Sequence, residues 1–482
     1  MHTETRRAGL LPPWGEAALP APPTFTPRNV MRTVGPGVIG LGLAIGSGEW
    51  LLGPAVIVAH GPTLLWITTI AVVLQALLNL EMARYTLYTG EPVMTAYMRT
   101  WPGPRFWGGT YSLLSFLQYG WPSWSLASAT ATAALWLGRM PGAGDAGVVI
   151  TIGYLTFGIC FAIVLIGKKV ERTIELAMWL MIGVVVLYLL AIDLATVSAS
   201  NWSAVASGFV SVGRLPSGAD WALIGAFAAY SGLGGVGNAF VTNWMRDKGY
   251  GMAATVGYIP TAFGPGIKLS AHGNVFSVTA PALRVWRDWW RFVNVDQWGI
   301  FAAGSIVGMA LTALMTLQYV PRGSVIEPWA IANISAAGVA EALGPAFLYL
   351  TLICGMWVLF KTQLGVVDGL PRAITDILWN GSDAVRTWRG GDVRRVYYCV
   401  LAVFAVWGCV ALNLAQPLVL LIIGANIAGF NMVLVSLHTL YANRRFLPPE
   451  LRPPVWREAG LVACALFYGG FVAAALGSWW LS

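Results

Sequence analysis

The stretch LAIGSGEWLLGP, residues 43–54, holds one carboxylate, Glu49, inside a run that otherwise has the apolar character of a membrane helix. A charge at that depth is costly, and an ionisable residue there is a functional candidate by default. Gly46 and Gly48 flank Ser47 just before it. Glycine costs about 1 kcal/mol relative to alanine in a helix interior, so the helix is expected to unwind there and bare carbonyl oxygens beside the acid. One carboxylate with hydroxyl and carbonyl oxygens suits a hard, partly hydrated cation, which makes Glu49 the candidate metal ligand; the bland alternative is an acid neutralised by a proton or a nearby lysine. A second glycine cluster, AYSGLGGVGNAF, sets Tyr230, Ser231, Gly232, Gly235 and Asn238 close together. Gln118, Lys361 and Gln363 complete the candidate substrate-binding set. Lys361 reads either as counter-ion to Glu49 or as a lysine snorkelling to the interface; Glu81 and Arg84, three apart, read as a structural pair.

These residues need a scaffold, and composition names its solvent. Of 482 residues, 57% are hydrophobic and 10% charged, against roughly 25% charged in an average soluble domain; the mean hydropathy is +0.67. An all-α integral membrane protein is expected. The net charge of +8 is spread in short clusters between apolar runs, the pattern of membrane-protein loops rather than of a nucleic-acid surface. Five cysteines without paired spacing indicate neither a disulfide framework nor a zinc site. Four scattered histidines and the absence of a phosphate loop, nucleophile elbow or HExxH motif point away from an enzyme, and no cofactor is expected.

Apolar runs long enough to cross a bilayer recur about eleven times between residues 34 and 480. Lysine and arginine concentrate in alternate connections, which sets the N terminus inside and the C terminus outside a cell inner membrane. Residues 1–33 read as a disordered cytoplasmic tail, 34–197 as a first five-helix repeat, 219–440 as a second, and 458–480 as an eleventh helix. The connection 249–296 contains LRVWRDWWRFVNVDQW, and its alternating tryptophan and arginine suggest a segment lying in the headgroup plane. Glycine clusters in helices one and six, an odd five apart, imply two halves of opposite orientation, each with a discontinuous first helix and the site between them. A monomer is expected.

The stretches GPGVIGLGLAIGSGEW, LLWITTIAVVLQALLNLEMARYTLYTG, KKVERTIELAMWLMIGVVVL, NWMRDKGYG and ANIAGFNMVLVSLHTLYANRRFLPP, taken in order, resemble the NRAMP divalent-metal transporter family over most of the chain from Val34 onward. The resemblance implies a LeuT-type 5+5 inverted repeat and alternating access. Its metal chemistry does not carry over. Where the family has Asp-Pro-Gly-Asn this chain has Gly46-Ser47-Gly48-Glu49, and the family's Met-Pro-His falls where this chain reads Ala228-Ala229-Tyr230-Ser231-Gly232. A missing thioether argues against manganese or iron selectivity, and helices three and nine lack the charged residues of the family's proton route. Two substrate classes stay open: a cation such as magnesium or manganese, and a small organic solute such as an amine, a guanidinium compound or an amino acid.

Overall fold

In hydrocarbon a backbone amide has no water to bond, so a chain this apolar satisfies its peptide groups within helices. The computed structural model describes residues 9–165, 170–216, 218–260, 269–326, 329, 332 and 334–481. Among them, extended pairing is confined to Gly15–Glu16 against Asn274–Val275.

Nine helices among the described residues are long and apolar enough to cross a membrane: Pro36–His60, Pro62–Thr89, Ala143–Leu165, Glu175–Thr196, Ala280–Tyr319, Pro345–Gly381, Val393–Ala411, Pro417–Phe446 and Val455–Ser478. Two further segments are each made of two half-helices. The third comprises Pro104–Tyr119 and Ser123–Leu137, and the sixth Trp221–Tyr230 and Val236–Lys248. Counted in chain order these make eleven spans. The first is enclosed by its neighbours from Pro36 to Val58, whereas the fourth, fifth, ninth and eleventh turn most of their surface outward. The buried, polar-bearing spans therefore lie at the centre.

Two expectations need correction. Residues 9–26 do not trail away: the Leu10 amide donates to the Arg99 carbonyl at 2.9 Å, Arg99 Nη1 donates to the Pro12 carbonyl at 2.8 Å, and Trp289 Nε1 reaches the Pro20 carbonyl at 2.7 Å. With Trp14 stacked on Arg99 at 4.5 Å and Phe25 packed on Phe292 at 5.0 Å, this segment is a strap across one end of the molecule. Part of the 249–296 connection also departs from the reading. Its tryptophan-rich piece, Ala280–Asn294, runs directly into the seventh span, giving a helix of 40 residues, about 60 Å long at 1.5 Å per residue. Trp286 and Trp289 are buried against protein, while Arg284, Arg287 and Arg291 are exposed. The apolar face thus meets the strap and its neighbours rather than lipid.

The strap lies at the end where residues 89–104, 246–260, 372–392 and 446–454 converge, called here the basic end. Several of its charges are buried and paired. Arg372 bonds Asp368 at 2.6 Å and contacts Asp247; Arg246 bonds Asp376 at 2.6 Å; Trp244 and Tyr397 donate to Asp368 at 3.1 and 3.0 Å. The start of the first span is fastened there too, since Asp296 accepts from the Gly35 and Gly37 amides at 3.0 and 2.8 Å and Lys248 bridges the Val34 carbonyl and Glu175.

Candidate functional site

The sixth span breaks outright. After Tyr230 the chain leaves the helix, and Gly232, Gly234 and Gly235 take φ of 144°, 70° and 49°, a region open to glycine and costly to other residues. Opening a helix in an apolar interior strands its peptide groups, and side chains of neighbouring spans take them up. Gln75 Oε1 accepts the Gly234 amide at 2.9 Å; Gln118 accepts the Val236 amide at 3.1 Å through Oε1 and donates Nε2 to the Gly234 carbonyl at 2.9 Å; the Tyr119 hydroxyl donates to the Leu233 carbonyl at 2.8 Å. Asn431 donates to Gln118 at 2.9 Å and Thr68 shares a bond of 3.0 Å with Ser231. Gln118 is thereby committed to the break itself.

The first span is interrupted differently from the expectation. Its α-helical bonding stops at Ala44 and resumes at Gly53, but between them Ile45–Leu52 forms a π-helix, in which the Gly53 amide reaches the Gly48 carbonyl. The segment is widened, not unwound, so its peptide groups remain bonded along the chain. Close approach explains the glycines: a methyl group on Gly46 would overlap Thr362 of the eighth span, and one on Gly48 would overlap the Tyr230 carbonyl at the lip of the sixth-span break. Spans one and six therefore meet at these two interruptions.

The π-segment presents different groups to different neighbours. Ser47 donates to the Leu43 carbonyl and accepts from Trp124 Nε1, both at 3.0 Å, and Trp124 stands 5.9 Å from Tyr230 and 6.0 Å from Tyr119, ring centre to ring centre. Glu49, fully buried, is placed against the seventh span: a methyl on Gly308 would sit 3.6 Å from its Cγ. Among the described residues neither carboxylate oxygen has a partner in good hydrogen-bond geometry, and the Ser305 hydroxyl is the polar side chain that faces it. Lys361 is the cation that faces Glu49 electrostatically. It does not snorkel. Fully buried, its Nζ donates to the Gly42 carbonyl at 2.7 Å, an acceptor shared with Thr362 at 3.2 Å.

The candidate set thus divides. Ser47, Gly48, Tyr230 and Ser231 lie where spans one and six meet; Gly46 on the same π-segment abuts Thr362 of span eight, Glu49 is turned to span seven with Lys361 acting on its charge, and Gly232 abuts Gln75 of span two. Gln118, Gly235 and Asn238 belong to the stitching of the break; Asn238 donates to the Gly235 carbonyl at 3.4 Å and to the Met432 sulfur at 3.2 Å. Gln363 accepts the Ser125 amide at 3.1 Å, which seats the second half of the third span, and leaves a buried Nε2 without an acceptor. Sequence reasoning missed Gln75, Trp124 and Ser305. Gln75 was detectable as an amide in the run AVVLQALLNL, and Trp124 as the first aromatic after the helix-breaking Gly120-Trp121-Pro122. Ser305 carries no such signal, since a serine in a span bonds its own backbone as readily as a site.

Among the described residues no three His, Cys, Asp or Glu side chains gather as a metal ligand set. Glu49 stands as a lone carboxylate facing an ammonium.

No family model matches the chain, and no curated protein matches it. Solved structures do. A point variant of the manganese transporter of Eremococcus coleocola superposes with a TM-score of 0.61 at 15% identity, covering 96% of this chain and 90% of that one. The same transporter in complex with an aromatic bis-isothiourea substituted compound gives 0.58 at 14% identity, covering 97% and 91%. At such identity the likeness speaks for the fold, so the chain is an all-α membrane protein with the arrangement of helices found in that transporter.

Proposed function

We propose that this chain is a secondary active transporter working by alternating access, and that Glu49 is the group that binds its substrate, a small organic cation such as an amine or guanidinium compound. The observation that carries the reading is the orphan carboxylate. A buried carboxylate without hydrogen bonds is unfavourable by several kcal/mol when charged, and Glu49 lies in the π-segment of the interrupted first span, next to the Gly48 contact with the sixth-span break and turned to the seventh span; interrupted helices of this kind are where transporters of this architecture hold their substrates. A cationic substrate with N–H donors supplies the bonds that Lys361, whose Nζ donates to the Gly42 carbonyl, does not make.

An organic cation is favoured over a divalent metal for two reasons. A divalent ion of the hard kind takes six or more oxygen ligands, whereas Glu49 brings one carboxylate and the π-segment keeps its carbonyls in use. Lys361 would also oppose a double positive charge more strongly than a single one. The aromatic faces of Tyr119, Trp124 and Tyr230 beside Ser47 offer a surface that a cation of low charge density can use.

Thermal-shift screening of divalent metals against polyamines, guanidinium compounds and amino acids, followed by liposome uptake of the best binder, tests this directly. Glu49→Gln keeps the size and removes the charge, and is expected to weaken binding at least tenfold, about 1.4 kcal/mol, with the folded yield preserved. Saturable manganese uptake at low micromolar concentration, or an unchanged affinity in Glu49→Gln, would overturn it.

A further inference from the structure

At the basic end a cavity of about 590 Å³ opens between the strap and the body of the protein. Four aromatic side chains line it in two edge-to-face pairs. Trp14 of the strap meets Phe446 at the end of the tenth span with centroids 6.0 Å apart, and Tyr88 at the end of the second span meets Phe276 at 5.3 Å. Two carboxylates, Glu16 and Glu450, complete the lining, and both are exposed. Among the described residues no lysine or arginine lines the cavity, although this end of the chain is otherwise rich in them. The nearest cation to Trp14, Arg99, lies over its ring with its charge already met by Glu91 at 2.5 Å.

Aromatic faces carry negative potential and attract a desolvated cation, and walls of several rings with a carboxylate at the edge are the chemistry that recognises quaternary ammonium groups. We infer that this cavity is a second binding site, separate from Glu49, for a free small organic monocation of the quaternary ammonium type. The site is assembled from three parts of the chain: the strap supplies Trp14 and Glu16, the pairing segment Phe276, and the span ends Tyr88, Phe446 and Glu450. A ligand held there ties the strap to the ends of the second and tenth spans. By mass action it stabilises the strapped arrangement over any in which these parts separate.

The inference stands without the Glu49 reading, and the test keeps the two apart. Binding of tetramethylammonium and of choline is measured by calorimetry and thermal shift on the full chain in a maltoside detergent free of choline lipids. Wild type and Glu49→Gln are both expected to bind at the strap site, and Glu16→Gln/Glu450→Gln to bind it at least roughly tenfold more weakly. Both glutamates are exposed, so this double variant is expected to fold. Trp14→Leu, which removes one ring and the stack on Arg99, should weaken the same binding and leave Glu49-dependent binding in place. Equal affinity in wild type and Glu16→Gln/Glu450→Gln would overturn the inference, as would loss of all tetramethylammonium binding in Glu49→Gln. Protection that appears only with phosphatidylcholine micelles, and not with the free cations, would overturn the assignment to a free solute in favour of a lipid headgroup.

Discussion

At the scale of single residues, the centre is governed by what sits where a side chain has no room. Gly48 abuts the Tyr230 carbonyl, which is backbone and cannot turn away as a side-chain end can. Gly48→Ala is therefore expected to lower stability by about 1–3 kcal/mol, the usual cost of overpacking a filled interior. Thermal unfolding in detergent checks it; a melting temperature equal to wild type would mean that the two interruptions are not in contact. Lys361 makes the complementary case. Its burial and its bond to Gly42 mean that Lys361→Met removes the charge facing Glu49 as well as a tie between spans one and eight. The effect should therefore exceed that of a lysine at an interface. Glu49 itself was legible because a carboxylate in an apolar run is rare, whereas its isolation was not: only the fold decides whether a buried acid finds a donor.

At the scale of elements, the sixth-span break could be read from its glycines, because three positive φ angles within four residues require them. Its closure could not be read in the same way, since Gln75 and Gln118 come from spans two and three and are joined to it only by packing. The first span shows the converse. Gly46 and Gly48 suggested an unwound stretch, yet they serve contacts with Thr362 and Tyr230, and the π-helix alters hydrogen-bond register without demanding any residue type. Nor could the length of the seventh helix be foreseen, because the amphipathic pattern of Ala280–Asn294 does not say whether its apolar face meets lipid or protein. If Gln118 is the staple of the break, Gln118→Leu should strand the Val236 amide, while the Gly234 carbonyl keeps the Gly237 amide at 2.9 Å, and cost roughly 1–3 kcal/mol for the one group left unbonded. Hydrogen exchange should rise locally at residues 231–237 and leave distant spans unchanged; uniform exchange across the protein would show that the break is held by something else.

At the scale of the whole molecule, the basic end is closed by buried ion pairs and the strap, so any opening there must separate charges that have no water. Breaking one partner of a buried pair costs about 3–5 kcal/mol, and Arg372→Met, which abandons Asp368 and Asp247, is expected to fall in that range by thermal unfolding. The strap has its own electrostatic anchor outside the spans. Burial is the largest influence on Glu91 and would raise its carboxyl, but the adjoining Arg99 charge and the bonds donated by Arg99, Tyr85 and the Gly273 amide together outweigh it and hold the group below its ordinary value of 4.5. A carboxyl depressed in the folded state contributes stability that is fully present above the unfolded value and is lost as pH falls through the lower, folded one. Strap attachment should accordingly be flat with pH from 8 down to the unfolded value of 4.5 and weaken only below it. Amide protection factors at Leu10, Gly15 and Ala17, whose hydrogen bonds tie the strap down, measure this without interference from the intrinsic exchange rate. In Glu91→Gln the neutral amide leaves Arg99 uncompensated at every pH, so protection should be low throughout and the acid step absent. A step that persists in that variant, or one centred near neutrality in wild type, would place the anchor on a different titrating group.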